Sequence, residues 1–236
     1  MIHQINTPKP TKAKYGGKRI YSSRDEYGVL EVIDYPNQRC LHFGSSVAQS
    51  AIIPDNPDTI IFEYIQKMLL NVEEAVQGSA LLLGLGGGNL AKALLSLTEL
   101  KLVSIELRSE LIFIAEHYFS LPSSPRLTHY IADACQAIQN NLNHSQSSPW
   151  LLESYNFIFI DVYDDQGSVK TCYSTEFFDG IKKLLSPQGK VIINSWVENW
   201  DDYLELTENL TAAFDCEFKT INVKESANRI ICLSLN

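Results

Sequence analysis

The chain carries three carboxylates in one short run: Asp161, Asp164 and Asp165 lie within Tyr155-Asn156-Phe157-Ile158-Phe159-Ile160-Asp161-Val162-Tyr163-Asp164-Asp165-Gln166-Gly167. An apolar stretch ends there, so the acids fall where a strand gives way to a turn. A carboxylate in that position can orient an amine and accept its proton. An alkylamine with a pKa near 10.4 is protonated at pH 7, and holding it neutral for attack on carbon costs roughly 4–5 kcal/mol. Asp161 is the candidate for that task, with Asp164 beside it. The competing reading of Asp164-Asp165-Gln166-Gly167 is turn chemistry alone, since Asp and Gly populate turns anyway.

A second group of residues lies upstream. Ala80-Leu81-Leu82-Leu83-Gly84-Leu85-Gly86-Gly87-Gly88-Asn89-Leu90-Ala91 is an apolar run that breaks into glycines and then opens a helix pattern. The next apolar run, Leu102-Val103-Ser104-Ile105, ends on Glu106, about 20 residues after the first glycine, as in nucleotide-binding βαβ units. Glycines let the backbone turn tightly, the new helix offers free N–H groups, and the acid can accept hydrogen bonds from ribose hydroxyls. Gly84, Gly86 and Gly88 give G-x-G-x-G, whereas the dinucleotide fingerprint needs a glycine where Asn89 stands, and no Gly-Lys-Ser/Thr comes after it. This spacing suits a ligand without a pyrophosphate, such as an adenosyl sulfonium compound. After a third apolar run, Asp133-Ala134 can both cap a helix and receive an adenine amino group.

These acids need a scaffold that brings strand ends together. Residues 1–17 read as a loose tail. Lys18 to Phe43 reads as short antiparallel strands around the turn signal Asp34-Tyr35-Pro36-Asn37, and Asp58 or Thr59 is expected to cap a helix through Ile61, Tyr64, Ile65, Met68 and Leu69. After Gly78, apolar runs (Ala80–Leu83, Leu102–Ile105, Leu127–Ile131, Phe157–Ile160, Val191–Ile193, Glu217–Val223, Arg229–Leu233) alternate with helix patterns (Leu90–Ser96, Glu110–Tyr118, Cys135–Leu142, Glu176–Leu185, Tyr203–Phe214). Alternation of this kind predicts an α/β fold, a mostly parallel sheet with helices on both faces. The last two runs succeed each other without a helix and predict an antiparallel C-terminal hairpin. Two regions are expected: 1–56, a tail with a small antiparallel β appendage, and 57–236, a Rossmann-like domain.

Composition narrows the function classes. A net charge of −9 and a pI near 5.0 argue against a general grip on nucleic-acid phosphates and favour the approach of cationic small molecules. Five scattered cysteines and five dispersed histidines give no C-x-x-C and no i, i+4 histidine pair, so no metal site is expected. The cysteines read as reduced core residues of a cytoplasmic protein. The first residues hold no apolar signal segment, and no apolar stretch is long enough to span a membrane.

Taken together, the segment from Tyr27 to Asn194 resembles the spermidine synthase family, whose members share the seven-stranded fold of the class I methyltransferases. Gly84–Asn89 stands where that family has G-G-G-D-G-G. Ile105-Glu106-Leu107, Ile112, Ala115, Tyr118-Phe119 and Pro125-Arg126-Leu127 are similar to its next segment, and Tyr155–Gly167 resembles its Y-D-x-I-x-x-D-x-x-D-P-x-G loop. Thr175-Glu176-Phe177-Phe178, Leu185–Gly189 and Asn194 fit the family's helix and strand after that loop. Gln49 and Tyr64 resemble a cofactor-contacting glutamine and a substrate-side tyrosine. The resemblance implies a transferase that moves an aminopropyl or methyl group from decarboxylated S-adenosylmethionine or S-adenosylmethionine to a small cationic amine. In that reading Glu106 binds ribose, Asp133 and Ala134 the adenine, and Asp161 and Asp164 the attacking amine, in a homodimer. Three departures stand out: Gly87 replaces the loop aspartate that meets the donor's amino group, Gln66 replaces an acid, and Asp165 replaces the loop proline. Glycine at position 87 removes a repulsion against the carboxylate of intact S-adenosylmethionine. A rival reading is a non-catalytic relative that keeps the fold as a binding module; an NAD-dependent oxidoreductase is disfavoured by Asn89 and the terminal hairpin.

Overall fold

Parallel strands covered on both faces read as continuous apolar runs, and their side chains alternate between the two covering layers. The computed structural model describes residues 11–142, 149–152, 154–164, 167–196, 200–224 and 226–235, with the side chains at 11, 12, 141, 142, 152, 164, 167, 168 and 170 left aside. An N-terminal sheet contains β1 (Thr11–Lys12), β2 (Lys18–Asp25), β3 (Gly28–Asp34), β4 (Arg39–His42) and β5 (Ala48–Ile52), in that order and antiparallel. Then come α1 (Glu63–Leu69), β6 (Gln77–Leu83), α2 (Asn89–Leu97), β7 (Glu99–Glu106), α3 (Ser109–Tyr118), β8 (Leu127–Ile131) and α4 (Ala134–Leu142). A 3-10 turn at Pro149–Leu152 leads to β9 (Tyr155–Ile160). The short strands β10 (Tyr163–Asp164) and β11 (Gly167–Ser168) and a 3-10 turn at Lys170–Tyr173 come next. The chain closes with α5 (Thr175–Leu184), β12 (Leu185–Trp196), α6 (Trp200–Phe214), β13 (Phe218–Asn222) and β14 (Asn228–Ser234).

The main sheet has seven strands in the order β13-β14-β12-β9-β6-β7-β8. Strands β12, β9, β6, β7 and β8 run parallel, and β14 pairs antiparallel with both β12 and β13. The expected α/β fold with a parallel sheet, a terminal antiparallel hairpin and a small N-terminal β region is the fold observed. Leu81, Leu83, Ile158, Ile160 and Ile193 pack against α4, α5 and α6; Ala80, Leu82, Phe157, Phe159 and Ile192 pack on the other face with α1 and α2. A third cluster, including Leu30, Val32, Leu41 and Ile52 with Leu111, Ile114 and Phe119, seats the N-terminal sheet on α3. Arg108 Nε and Nη2 donate to Asp25 at 2.9 and 2.8 Å across the same junction.

Chain order reverses at the boundary between β6 and β9: β7 and β8 lie to one side of β6, and β9 to the other. A crevice opens at such a switch point beyond the carboxyl ends of the strands. Gly84 stands there with φ +89°, and a Cβ on it would lie 2.2 Å from the Asp161 carbonyl oxygen, so glycine is required both by conformation and by space.

Several local expectations need correction. Helix α1 begins at Glu63 behind Phe62, with no side-chain cap; Asp58 and Thr59 lie in turns closed by Asn56 N–H to Ile53 and Thr59 N–H to Asn56. Strand β5 carries no strong β-former before Ile52, which hid it in the sequence. The turn at Asp164–Gly167 is the tip of a β10–β11 hairpin, whose positions 165 and 166 lie outside the described residues. Cys135 and Cys172 are not reduced core residues: they form a disulfide, with Cα atoms 5.2 Å apart. Their 37-residue separation gives no local spacing signal, and tertiary packing of the start of α4 against the 3-10 turn brings them together.

Candidate active site

The crevice at the switch point is a cleft of about 260 Å³. Its walls run in the order of the strands: Asp133 and Ala134 beyond β8, Glu106 beyond β7, Gly84, Leu85 and Gly86 beyond β6, and Asp161 beyond β9. Tyr27, Phe43, Gln49 and Ser50 from the N-terminal sheet and Tyr64 from α1 complete it. Asp133, Glu106 and Asp161 thus line one cavity, with the glycine bend between the last two in strand order.

Glu106 is held by backbone. Its Oε2 accepts from Leu85 N–H at 2.9 Å and its Oε1 from Arg108 N–H at 3.0 Å, which ties the glycine bend to the start of α3. Burial pushes its pKa above the ordinary glutamate range, and the N–H donors of Arg108, Leu85, Gly86 and Leu107 oppose that rise. Glu106 also lines the cleft, where its carboxylate can accept from hydroxyl donors of a ligand. Asp133 does cap α4: its Oδ1 accepts from Gln136 N–H at 2.9 Å, and it also lies in the cleft wall.

Asp161 sits at the centre of a polar array. Its Oδ1 accepts from Asn194 Nδ2 at 2.8 Å, and its Oδ2 takes a long hydrogen bond of 3.4 Å from the Tyr64 hydroxyl. Asn194 Oδ1 in turn accepts from Asn228 Nδ2 at 2.8 Å, and the Tyr163 hydroxyl donates to the Asn194 carbonyl at 3.1 Å. The bond to Asn228 fixes which end of the Asn194 amide faces Asp161. Desolvation raises the Asp161 pKa from 3.8 to about 6, against the opposing pull of the Asn194 and Tyr64 hydrogen bonds. Burial and the neighbouring Asp161 charge also raise the Tyr64 phenol well above its ordinary value, so it stays a donor. A carboxylate poised near neutrality at a cleft wall is equipped to accept a proton.

The structure brings Gln49, Tyr64, Gly84, Gly86, Glu106, Asp133, Ala134 and Asp161 to one cleft. Gly88 is not in its wall: it precedes α2 at φ +77°, backed by Leu121 and Ala115. Asp164 has its backbone in β10, and its side chain lies outside the described set. Sequence reasoning missed Ser50, whose Oγ accepts from Gly87 N–H at 2.8 Å, and the cleft residues Asn89, Arg108, Tyr27 and Phe43. It noted Asn194 but not its contact with Asp161. Among the described residues, no group of three or more His, Cys, Asp or Glu stands where it could hold a metal ion.

No protein-family model matches the chain. A polyamine aminopropyltransferase from Chromobacterium violaceum is 24% identical over 201 residues, covering 84% of this chain and 73% of the relative. Among solved structures, a probable spermidine synthase from Corynebacterium glutamicum superposes with a TM-score of 0.73 at 18% identity, covering 91% of this chain and 79% of the other. Human methyltransferase-like protein 13, in complex with SAH, gives a TM-score of 0.59 at 21% identity, with 72% and 75% covered. The sequence thus aligns along most of its length with a polyamine aminopropyltransferase, and the fold is similar to those of a probable spermidine synthase and a methyltransferase-like protein.

Proposed function

We propose that the protein is a transferase that moves an alkyl group, aminopropyl or methyl, from an adenosyl sulfonium donor to a small amine. The observation that carries this reading is Asp161, a part-buried carboxylate with a pKa of about 6 in the wall of a cleft that also presents Glu106 and Asp133 in strand order. The names of the relatives support it. Adenine lies against Asp133 and Ala134, the ribose hydroxyls donate to Glu106, and the sulfonium sits over Gly84–Gly86 beside Gln49, with its reacting carbon toward Asp161. The acceptor amine lies between Asp161 and Tyr64, with Asp164 as a further candidate contact. Its nitrogen lone pair attacks the carbon bonded to sulfur, the C–S bond breaks with its electron pair going to sulfur, and a neutral thioether leaves. The proton shed by the nitrogen passes to Asp161. Alignment of donor and nucleophile supplies most of the acceleration.

The acidic composition suits a cationic acceptor, and we infer a cytoplasmic homodimer. Regions 1–56 and 57–236 divide the work: the first lids the cleft and the second carries the strand-end acids. Methyl transfer is the second reading, favoured by the structure around Gly87, where an added Cβ would lie 2.6 Å from Ser50 Cβ. The test is turnover of putrescine with each donor, with product masses read directly. An aminopropyl or methyl adduct that disappears in Asp161→Asn, while thioether binding persists, supports the reading. Absence of any adduct, with adenosyl binding intact, identifies a binding module instead.

A further inference from the structure

The hydrogen bonds around Asp161 do not end at Asn194. An ionised carboxylate only accepts, so the Asn194 amide must turn its Nδ2 toward Asp161 Oδ1, at 2.8 Å. Asn194 Oδ1 then faces Asn228 and accepts from its Nδ2, also at 2.8 Å. The same Nδ2 group donates its other hydrogen to the Tyr163 hydroxyl at 3.3 Å, and Tyr163 donates in turn to the Asn194 carbonyl at 3.1 Å. Asn228 Oδ1 accepts from the Ser226 hydroxyl at 2.6 Å, while Ser226 Oγ accepts from Asn228 N–H at 3.3 Å. Ser226, Asn228, Asn194 and Asp161 thus form one chain in which every side-chain donor points toward the carboxylate. In such a chain each bond polarises the next.

The chain does more than close the C-terminal hairpin. Backbone bonds already do that: β14 pairs with β12 and β13 along its length, and Val223 N–H donates to the Asn228 carbonyl at 3.2 Å. The side chains of Asn194 and Asn228 are nonetheless buried, at 1% and 7% exposure, and neither residue belongs to the cleft wall. Their reach into the site ends on Asp161, where they make the two carboxylate oxygens unequal. Oδ1 holds the short bond from Asn194, and Oδ2 has the long 3.4 Å bond from Tyr64, which does stand in the wall.

Resting on Asp161 as the proton acceptor of the proposed transfer, we infer that Asn228 is a positioning residue: acting through Asn194, the C-terminal hairpin holds Asp161 by Oδ1 and leaves Oδ2 to receive the proton shed by the acceptor nitrogen. The titratable groups bonded to this array, among the described residues, are Asp161, Tyr64 of α1, Tyr163 of β10 and Tyr173 of the 3-10 turn before α5. Burial and the Asn194 and Tyr64 hydrogen bonds govern the Asp161 ionisation, and Tyr64 stays protonated through that range. A loosened Asn194 bond must therefore appear as weaker acidity of Asp161.

The side-chain carboxyl resonance of Asp161, followed against pH in isotope-labelled protein and assigned by its loss in Asp161→Asn, tests this without a substrate. Asn228→Leu should lower the Asp161 ionisation constant about threefold or more, because nothing then sets which end of the Asn194 amide faces the carboxylate. The same substitution in an Asn194→Ala background should add nothing, since the link is already cut. Ser226→Ala, in the exposed hairpin turn, should act in the same direction by a smaller factor, and decides the matter should Asn228→Leu fail to fold. An Asp161 titration that stays in place in the folded variant overturns the inference, as does an equal shift in the Asn194→Ala background. With turnover, the acid limb of kcat/KM should move by the same factor as the resonance; a limb that stays put assigns the proton to another group and overturns the inference. A resonance that shifts as expected in a protein that transfers no group to any amine overturns the transferase reading and leaves the hydrogen-bonded relay standing.

Discussion

At the residue scale the account rests on three acids and the groups that tune them. Replacement of Asp161 by Asn should lower kcat by about 100-fold or more while leaving thioether affinity unchanged, since a positioned proton acceptor contributes at least that much. In the wild-type protein kcat/KM should rise with pH through about 6, where Asp161 ionises. Asn194→Ala, which removes the hydrogen bond that holds this pKa down, should move that limb to higher pH; a limb that stays put contradicts the positioning role. The stability consequence has the opposite slope. Because the folded pKa is raised above 3.8, Asp161 contributes stability that is full below that value and is lost as pH rises through about 6. Asp161→Asn should therefore be more stable than wild type at pH 7, by about 2 kcal/mol after allowing for water in the cleft. Glu106, Asp133 and Asp161 were legible in the sequence because each is the first acid after an apolar run. Asn89 and Asn194 were not legible as site residues: an amide has no telling spacing, and their partners on β5, just after β9 and on β14 come through non-local pairing.

At the element scale, the glycine bend is held on three sides: by Glu106 from β7, by Ser50 from β5 and by the Asp161 backbone just beyond β9. Gly84→Ala places a methyl group on the Asp161 carbonyl in a left-handed backbone conformation, so it should unfold the protein or destabilise it by about 3 kcal/mol or more. Ser50→Ala strips a buried N–H of its acceptor, and a denaturant midpoint should report about 1–2 kcal/mol lost. The main-sheet strands and helices could be read from alternating apolar runs because both sheet faces are covered. Their ends could not, as with β12, which runs from Leu185 to Trp196 around a bulge while only Val191–Ile193 stood out. The β10–β11 hairpin and β5 escaped for a related reason: two- to five-residue strands show too few positions for a period.

At the scale of the molecule, the N-terminal sheet roofs a cleft whose floor is the edge of the seven-stranded sheet, and Arg108 joins the two through Asp25. The Cys135–Cys172 disulfide joins the start of α4, beside Asp133, to the turn after β11. Opening it with a reductant should lower the unfolding free energy by up to about 4 kcal/mol for a 37-residue loop, seen as a drop in Tm absent from Cys172→Ser. The seven-stranded architecture was legible at this scale; the bridge and the roofing of the cleft were not, because both depend on how distant segments pack. The central claim, that strand-end acids enclose an adenosyl thioether, is tested most directly by a crystal structure with methylthioadenosine bound. The account predicts adenine against Asp133, ribose hydroxyls within hydrogen-bond reach of Glu106 and sulfur between Gly84–Gly86 and Asp161; a ligand seated elsewhere, with Glu106 turned from it, contradicts the account.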